Sequence, residues 1–224
     1  HLLHNKEPTA VNHDFILLDR SGSMAGRWQD ALSAVNSYAK KLADDGVDTG
    51  VTVATFDSPG GMMNPTSATS GLLRQSIDFT VVRDRITPAT FRPVDNTEVQ
   101  PRGGTPLNDA VVRMVELIES GGYTTVALTV ITDGEENSSV TSHAEAKAAI
   151  ERLQARGWQV IFIGCDFNNV QQAHGYGVVG NMQAEVASHN LSASTAALAG
   201  KRMANINRGA SMEYTDAEKA LFKN

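Results

Sequence analysis

Cysteine is almost absent from this chain: one residue, Cys165, stands among 224. No intramolecular disulfide is therefore available. The setting of Cys165 in the apolar run Val160-Ile161-Phe162-Ile163-Gly164-Cys165 is that of a buried, inert thiol rather than a nucleophile or redox centre. Long apolar stretches are missing too, and no run approaches the ~20 residues that cross a bilayer. Basic excess is lacking, since 19 Lys and Arg face 25 Asp and Glu for a net charge of −6. General attraction to nucleic-acid backbones or anionic lipid is not expected from such a balance. Three catalytic signatures are also absent: the G-x-x-x-x-G-K-[ST] phosphate loop, the H-E-x-x-H helix and the G-x-S-x-G elbow. The first residues, His1 to Glu7, lack the apolar core of a signal peptide, and the missing Met leaves room for a leader already removed. The default location is cytoplasmic, with a virion or cell surface as the alternative.

What is present is an ordinary globular composition, 41% hydrophobic and 20% charged, sized for one α/β domain or one domain with an appendage. Strand-like apolar runs alternate with helix-like segments, the pattern of a mostly parallel sheet with helices on both faces, a Rossmann-like arrangement. The strands are expected at 15–18, 51–56, 78–82, 125–131 and 159–163. The last two are too continuously apolar to have one face in water, so they belong at the centre. The 78–82 strand is expected as an antiparallel edge. Trp28, Ala31, Leu32, Val35, Ala39 and Leu42 repeat at helical spacing. A second helix is expected to open at Pro106, capped by Thr105, and to stop at Gly121-Gly122. A third spans about 143 to 156, with Gly157 as its stop. The expected layout is an N-terminal extension over 1–12, the domain over 13–207 and a tail over 208–224. Within the domain, 57–77 reads as an insertion loop carrying Met62-Met63, and 181–207 as a terminal helix region.

The informative chemistry falls at strand ends, where open α/β sheets place their ligands. The first strand ends in Asp19-Arg20-Ser21-Gly22-Ser23-Met24, a D-x-S-x-S run offering one carboxylate and two hydroxyls. Arg102-Gly103-Gly104-Thr105-Pro106 precedes the second helix and supplies a third hydroxyl, and Ile131-Thr132-Asp133-Gly134 supplies a second carboxylate. Asp19, Ser21, Ser23, Thr105 and Asp133 thus form an oxygen-only donor set, suited to Mg²⁺ or Mn²⁺, to Ca²⁺ with looser binding, and not to Zn²⁺ or copper.

On these residues the chain resembles the von Willebrand factor A family, whose metal-ion-dependent adhesion site has the same D-x-S-x-S, Thr and Asp pattern in the same order. The resemblance covers roughly residues 13 to 165, matches all five positions, and looks closest to stand-alone prokaryotic or phage members. It implies that Ser21, Ser23 and Thr105 ligate the cation directly or nearly so, with Asp19 and Asp133 bonding directly or through water. Asp57 and Asp109 lie near the site loops in sequence but match no ligand position of the family.

Each piece has a plainer reading. Asp and Ser are common in turns and caps, Thr105 alone reads as a cap, and Asp133-Gly134 alone reads as a turn; the joint occurrence at three strand ends carries the metal reading. His1, His4 and His13 read as a surface or tag-like cluster, and Glu135-Glu136 as a solvated acidic loop. The leading function is a binding module whose cation keeps one coordination position open for an acidic side chain of a partner protein. Two settings compete: an intracellular role beside an AAA+ ATPase, and a particle or surface assembly. A metal of structural role only is a second reading. A metal-dependent hydrolase ranks last, because no His stands in the three site loops to act as a base.

Overall fold

The computed structural model describes residues 10–59, 77–133, 136–165, 175–178 and 180–224. A six-stranded sheet runs in the order β3-β2-β1-β4-β5-β6, with β1 Asn12–Asp19, β2 Gly50–Asp57, β3 Asp78–Ile86, β4 Thr125–Thr132, β5 Gln159–Cys165 and β6 Gln183–Val186. All neighbouring pairs are parallel except β2 with β3, so the edge expected at 78–82 is antiparallel and longer than its apolar part. The expected α/β class, with a mostly parallel sheet and helices around it, is the one observed.

Alternation along β1 assigns the two cores. Ile16 and Leu18 face α1 (Trp28–Asp44), α4 (Leu191–Arg208) and α5 (Asp216–Lys223), while Phe15 and Leu17 face α2 (Leu107–Glu119) and α3 (His143–Ala155). Successive strand side chains point to opposite faces, and a strand covered on both faces must be apolar at every central position. α1 buries Trp28, Ala31, Leu32, Val35, Ala39 and Leu42, and adds Ala34 and Tyr38. α3 starts with a reciprocal Ser142–Glu145 capping box, which satisfies two N-terminal amides that the helix itself leaves unpaired.

The start of β1 departs from the hydrophobic reading. Asn12, His13 and Asp14 are all buried, so His13 is not part of a surface cluster. Its ring lies 4.5 Å from that of Phe15 and 4.8 Å from that of Tyr123, and its Nε2 is 2.8 Å from the Thr52 hydroxyl. Burial is the main cause that pushes the His13 pKa down to about 4. A Cβ on Gly50 would come within 2.7 Å of this ring, which explains glycine at the head of β2. His1 and His4 lie outside the described residues.

Two segments near the C-terminus carry more structure than their sequence pattern predicts. β6 is a short strand on the far edge, and four residues with one intermediate position gave no periodic signal. Residues 208–224, expected as a tail, carry α5 and put Met212, Tyr214 and Phe222 into the core, with the Ala187 N–H donating to the Phe222 carbonyl at 2.9 Å. Of the expected 57–77 insertion, residues 60–76, including Met62-Met63, lie outside the described residues.

Candidate metal centre

The carboxyl ends of β1 and β4 bring the acidic residues of the expected set together. Asp19 ends β1 and is fully buried. Asp133 follows β4 directly and is 5% exposed. Ser21 is buried at the head of a 3₁₀ turn, Gly22–Arg27, and Ser23 is exposed within it. The Ser21 N–H donates to Asp19 Oδ1 at 2.7 Å, and the Ser21 and Ser23 hydroxyls are 3.1 Å apart. The Ser23 hydroxyl then donates to Asp133 Oδ1 at 2.8 Å. Four of the five predicted residues therefore form one continuous chain of polar contacts.

Thr105 joins through the backbone. The Gly22 N–H donates to the Gly103 carbonyl at 3.0 Å and the Arg102 N–H to the Arg20 carbonyl at 2.8 Å, laying the 102–105 segment against the first loop. Gly103 has φ +65°, and a Cβ there would sit 2.1 Å from the Ser58 carbonyl oxygen; only glycine accepts both conditions. Thr105 is buried, with its N–H held by Asn137 Oδ1 at 2.9 Å. Among the described residues its hydroxyl makes no hydrogen bond to the other four. Thr105 is not the helix cap that its position suggests. Pro106 occupies the cap position without a side-chain bond, and the first amides of α2 are satisfied from another loop, Asn108 N–H by Glu136 Oε2 at 2.7 Å and Asp109 N–H by Ser139 Oγ at 3.0 Å.

Electrostatics set Asp19 apart. Burial pushes its carboxyl up to about 6, opposed by the Thr132 hydroxyl donating to Oδ2 at 2.7 Å and by Ser21, and reinforced by the nearby Asp133 charge. No basic side chain pairs with it among the described residues. Asp133 differs, because Arg27 at the end of the 3₁₀ turn donates to its Oδ2.

Several neighbours have structural duties that the sequence did not disclose. Asp57 is buried and held by Arg102 Nε at 2.7 Å and Arg20 Nε at 3.6 Å. Asp109 accepts the Val140 and Thr141 N–H groups at 3.0 and 2.8 Å. Glu136 is no solvated acid: besides Asn108 it accepts the Ser138 and Ser139 N–H groups at 2.9 and 2.7 Å and the Ser139 hydroxyl at 2.6 Å. Glu135 lies outside the described residues. Arg27, Thr132 and Asn137 also escaped the sequence reading, because a lone Arg, Thr or Asn beside a loop carries no pattern.

Comparison with solved structures finds the same fold in bacterial pilus proteins. The vWF domain of the type V pili tip protein Mfa5 from Porphyromonas gingivalis superposes with TM-score 0.64 at 12% identity, over 93% of this chain and 99% of that one. The pilus adhesin SpaC from Lactobacillus rhamnosus GG gives 0.62 at 13% identity, over 89% of this chain and 32% of that one. The minor pilin PilB from Streptococcus sanguinis gives 0.56 at 14% identity, over 88% and 62%. This chain thus spans about a third of SpaC. Identities this low establish the fold alone. No curated protein sequence matches the chain. The sequence profile of the von Willebrand factor type A domain matches residues 15–199, well over half of the chain and all five residues of the candidate centre, and on that match the protein belongs to the von Willebrand factor type A domain family.

Proposed function

We propose that this protein is a protein-binding module whose recognition depends on a divalent cation held by Asp19, Ser21, Ser23, Thr105 and Asp133. One observation carries the reading: a fully buried carboxylate, Asp19, has no cationic partner among the described residues, yet is linked through the Ser21 amide and the Ser21 and Ser23 hydroxyls to a second carboxylate just past the neighbouring strand. A buried charge of this kind is costly unless something neutralises it. The donors are hard oxygens, two charged and three neutral, and no group of three or more His, Cys, Asp or Glu side chains with metal-binding geometry occurs among the described residues. That chemistry fits Mg²⁺ or Mn²⁺ best and Ca²⁺ less well.

With two carboxylates and three neutral hydroxyls in the set, a bound cation is less fully neutralised than one held by several carboxylates, and an open coordination position is available to a carboxylate from a partner protein. Ser21 and Ser23 orient Asp19 and Asp133, and the Gly103 turn brings Thr105 to the same end of the sheet. Neither His nor Cys stands in 19–23, 102–105 or 132–133, so the commonest general base and a thiol nucleophile are lacking there and binding is favoured over catalysis. The pilus tip, adhesin and pilin structures that share the fold favour a surface assembly over a cytoplasmic role beside an AAA+ ATPase. No helix among the described residues is long and apolar enough to cross a membrane. The experiment is a pull-down from the native source in Mg²⁺, repeated in EDTA and with Thr105→Ala. A partner captured only by the unaltered protein in Mg²⁺ supports the reading, and equal capture in all three conditions refutes it.

A further inference from the structure

Asp133 already has a cation beside it. Arg27 ends the 3₁₀ turn that begins immediately after Ser21, and its Nη1 donates both to Asp133 Oδ2 and, at 3.3 Å, to the Ser23 carbonyl. The Asp133 side chain is 1% exposed and that of Arg27 25%, so the pair joins a buried carboxylate to a side chain that still reaches solvent. The two acids of the centre are therefore neutralised differently: Asp19 meets hydroxyls and an amide, whereas Asp133 meets a hydroxyl and a full positive charge. Arg27 belongs to the same short turn as Ser23, and the two side chains reach the two oxygens of one carboxylate.

Resting on the metal-binding reading above, we propose that Arg27 is a resident counter-ion that sets the threshold for metal occupancy, holding Asp133 until a divalent cation displaces it. A guanidinium and a divalent cation placed at the same carboxylate repel each other, so cation entry is opposed by the ion pair already present. Removing Arg27 lifts that opposition, and it also leaves two neighbouring buried carboxylates without a basic partner among the described residues when no metal is present. The two effects have opposite signs on metal affinity and on metal-free stability. An arginine serving only to position Asp133 as a ligand would give the same sign for both.

The test compares the unaltered protein with Arg27→Met, which keeps the length of the stem, and Arg27→Lys, which keeps the charge but loses the planar fork. Two readouts are taken, Mn²⁺ titration by calorimetry and the melting temperature in EDTA. Arg27→Met is expected to bind Mn²⁺ about tenfold more tightly, a size between that of exposed and buried ion pairs, and to melt lower in EDTA. Arg27→Lys should fall between the two proteins in both readouts. Mn²⁺ affinity equal to or weaker than that of the unaltered protein in Arg27→Met overturns the counter-ion role. Failure of every protein, Arg27→Met included, to take up Mn²⁺ overturns the metal-binding reading instead, and uptake by Arg27→Met alone supports the threshold.

Discussion

Arg202 of α4 reaches under the sheet to Asp14 of β1, its Nε 3.0 and 3.1 Å from the two carboxylate oxygens, and both side chains are fully buried. Asp14 also accepts the Tyr38 and Thr49 hydroxyls at 2.6 Å each. Arg202 spends its remaining donors on Asn205 Oδ1, the His13 carbonyl and Thr125. Every nitrogen and oxygen of the pair thus has a partner, the condition under which a buried ion pair is tolerable. It fixes α4 to the opposite end of the strand that carries Asp19.

Breaking one half of this pair should cost about 3–5 kcal/mol, because the other half stays buried and uncompensated. Urea unfolding of Arg202→Met and of Asp14→Asn should each show that loss. The double variant should lose less than the sum of the singles, and strict additivity would mean that the contact contributes no coupling.

His13 predicts the acid limb of stability. Its pKa is lowered from 6.5 to about 4 in the fold, so between those values the unfolded chain binds the extra proton and stability rises with pH. This contribution is complete above pH 6.5 and is lost as pH falls toward 4. Its size is on the order of 3 kcal/mol. Unfolding measured across that window should show a slope that His13→Gln flattens; an unchanged slope would assign the acid limb to other groups.

Gly103→Ala should destabilise the protein by about 2 kcal/mol or more, since φ +65° is combined with a Cβ placed 2.1 Å from the Ser58 carbonyl oxygen. Thermal melts decide it. An unchanged melting temperature would mean that the 58 and 102–105 segments move apart at little cost.

Thr105→Ala should leave metal-free stability within about 1 kcal/mol, because its hydroxyl caps no helix and the first turn of α2 depends on Glu136 and Ser139 instead. Urea titration in EDTA checks this. A larger loss would give the hydroxyl a structural duty beyond the proposed ligand role.

Periodicity in the sequence was enough for the α/β class, the antiparallel edge at 78–82 and the helices at 28–42 and 143–156. The two helices bury continuous apolar stripes, and burial is what periodicity reports; the edge strand, mostly uncovered, was legible from its β-branched and aromatic residues instead. β1 was legible from Phe15 onward but not at Asn12, His13 and Asp14, whose burial depends on Arg202, Thr125 and Thr52 far away in the chain. Residues 208–224 look polar because Met212, Tyr214 and Phe222 are spread among polar and charged neighbours, and their places depend on Gln159, Asn181, Ala187 and Ser194 far back in the chain. At the candidate centre, Asp19, Ser21, Ser23 and Asp133 were readable because they end apolar strands, and the structure links them. Arg27 was not readable, since its relation to Asp133 spans 106 positions and exists only once β1 and β4 are neighbours. The same limit explains Glu136, which looks like a solvated acid until α2 is placed beside it.

Calorimetric titration of Mg²⁺ or Mn²⁺ into EDTA-stripped protein near neutral pH, with Asp19→Ala alongside, is the most direct test of the proposed centre. One site per chain is expected in the unaltered protein, accompanied by a rise in melting temperature because the cation binds the folded state preferentially, and both effects should vanish in Asp19→Ala. Identical uptake by the unaltered protein and Asp19→Ala, or no uptake at millimolar cation by the unaltered protein and by Arg27→Met alike, would contradict the assignment of Asp19, Ser21, Ser23, Thr105 and Asp133 as a metal site.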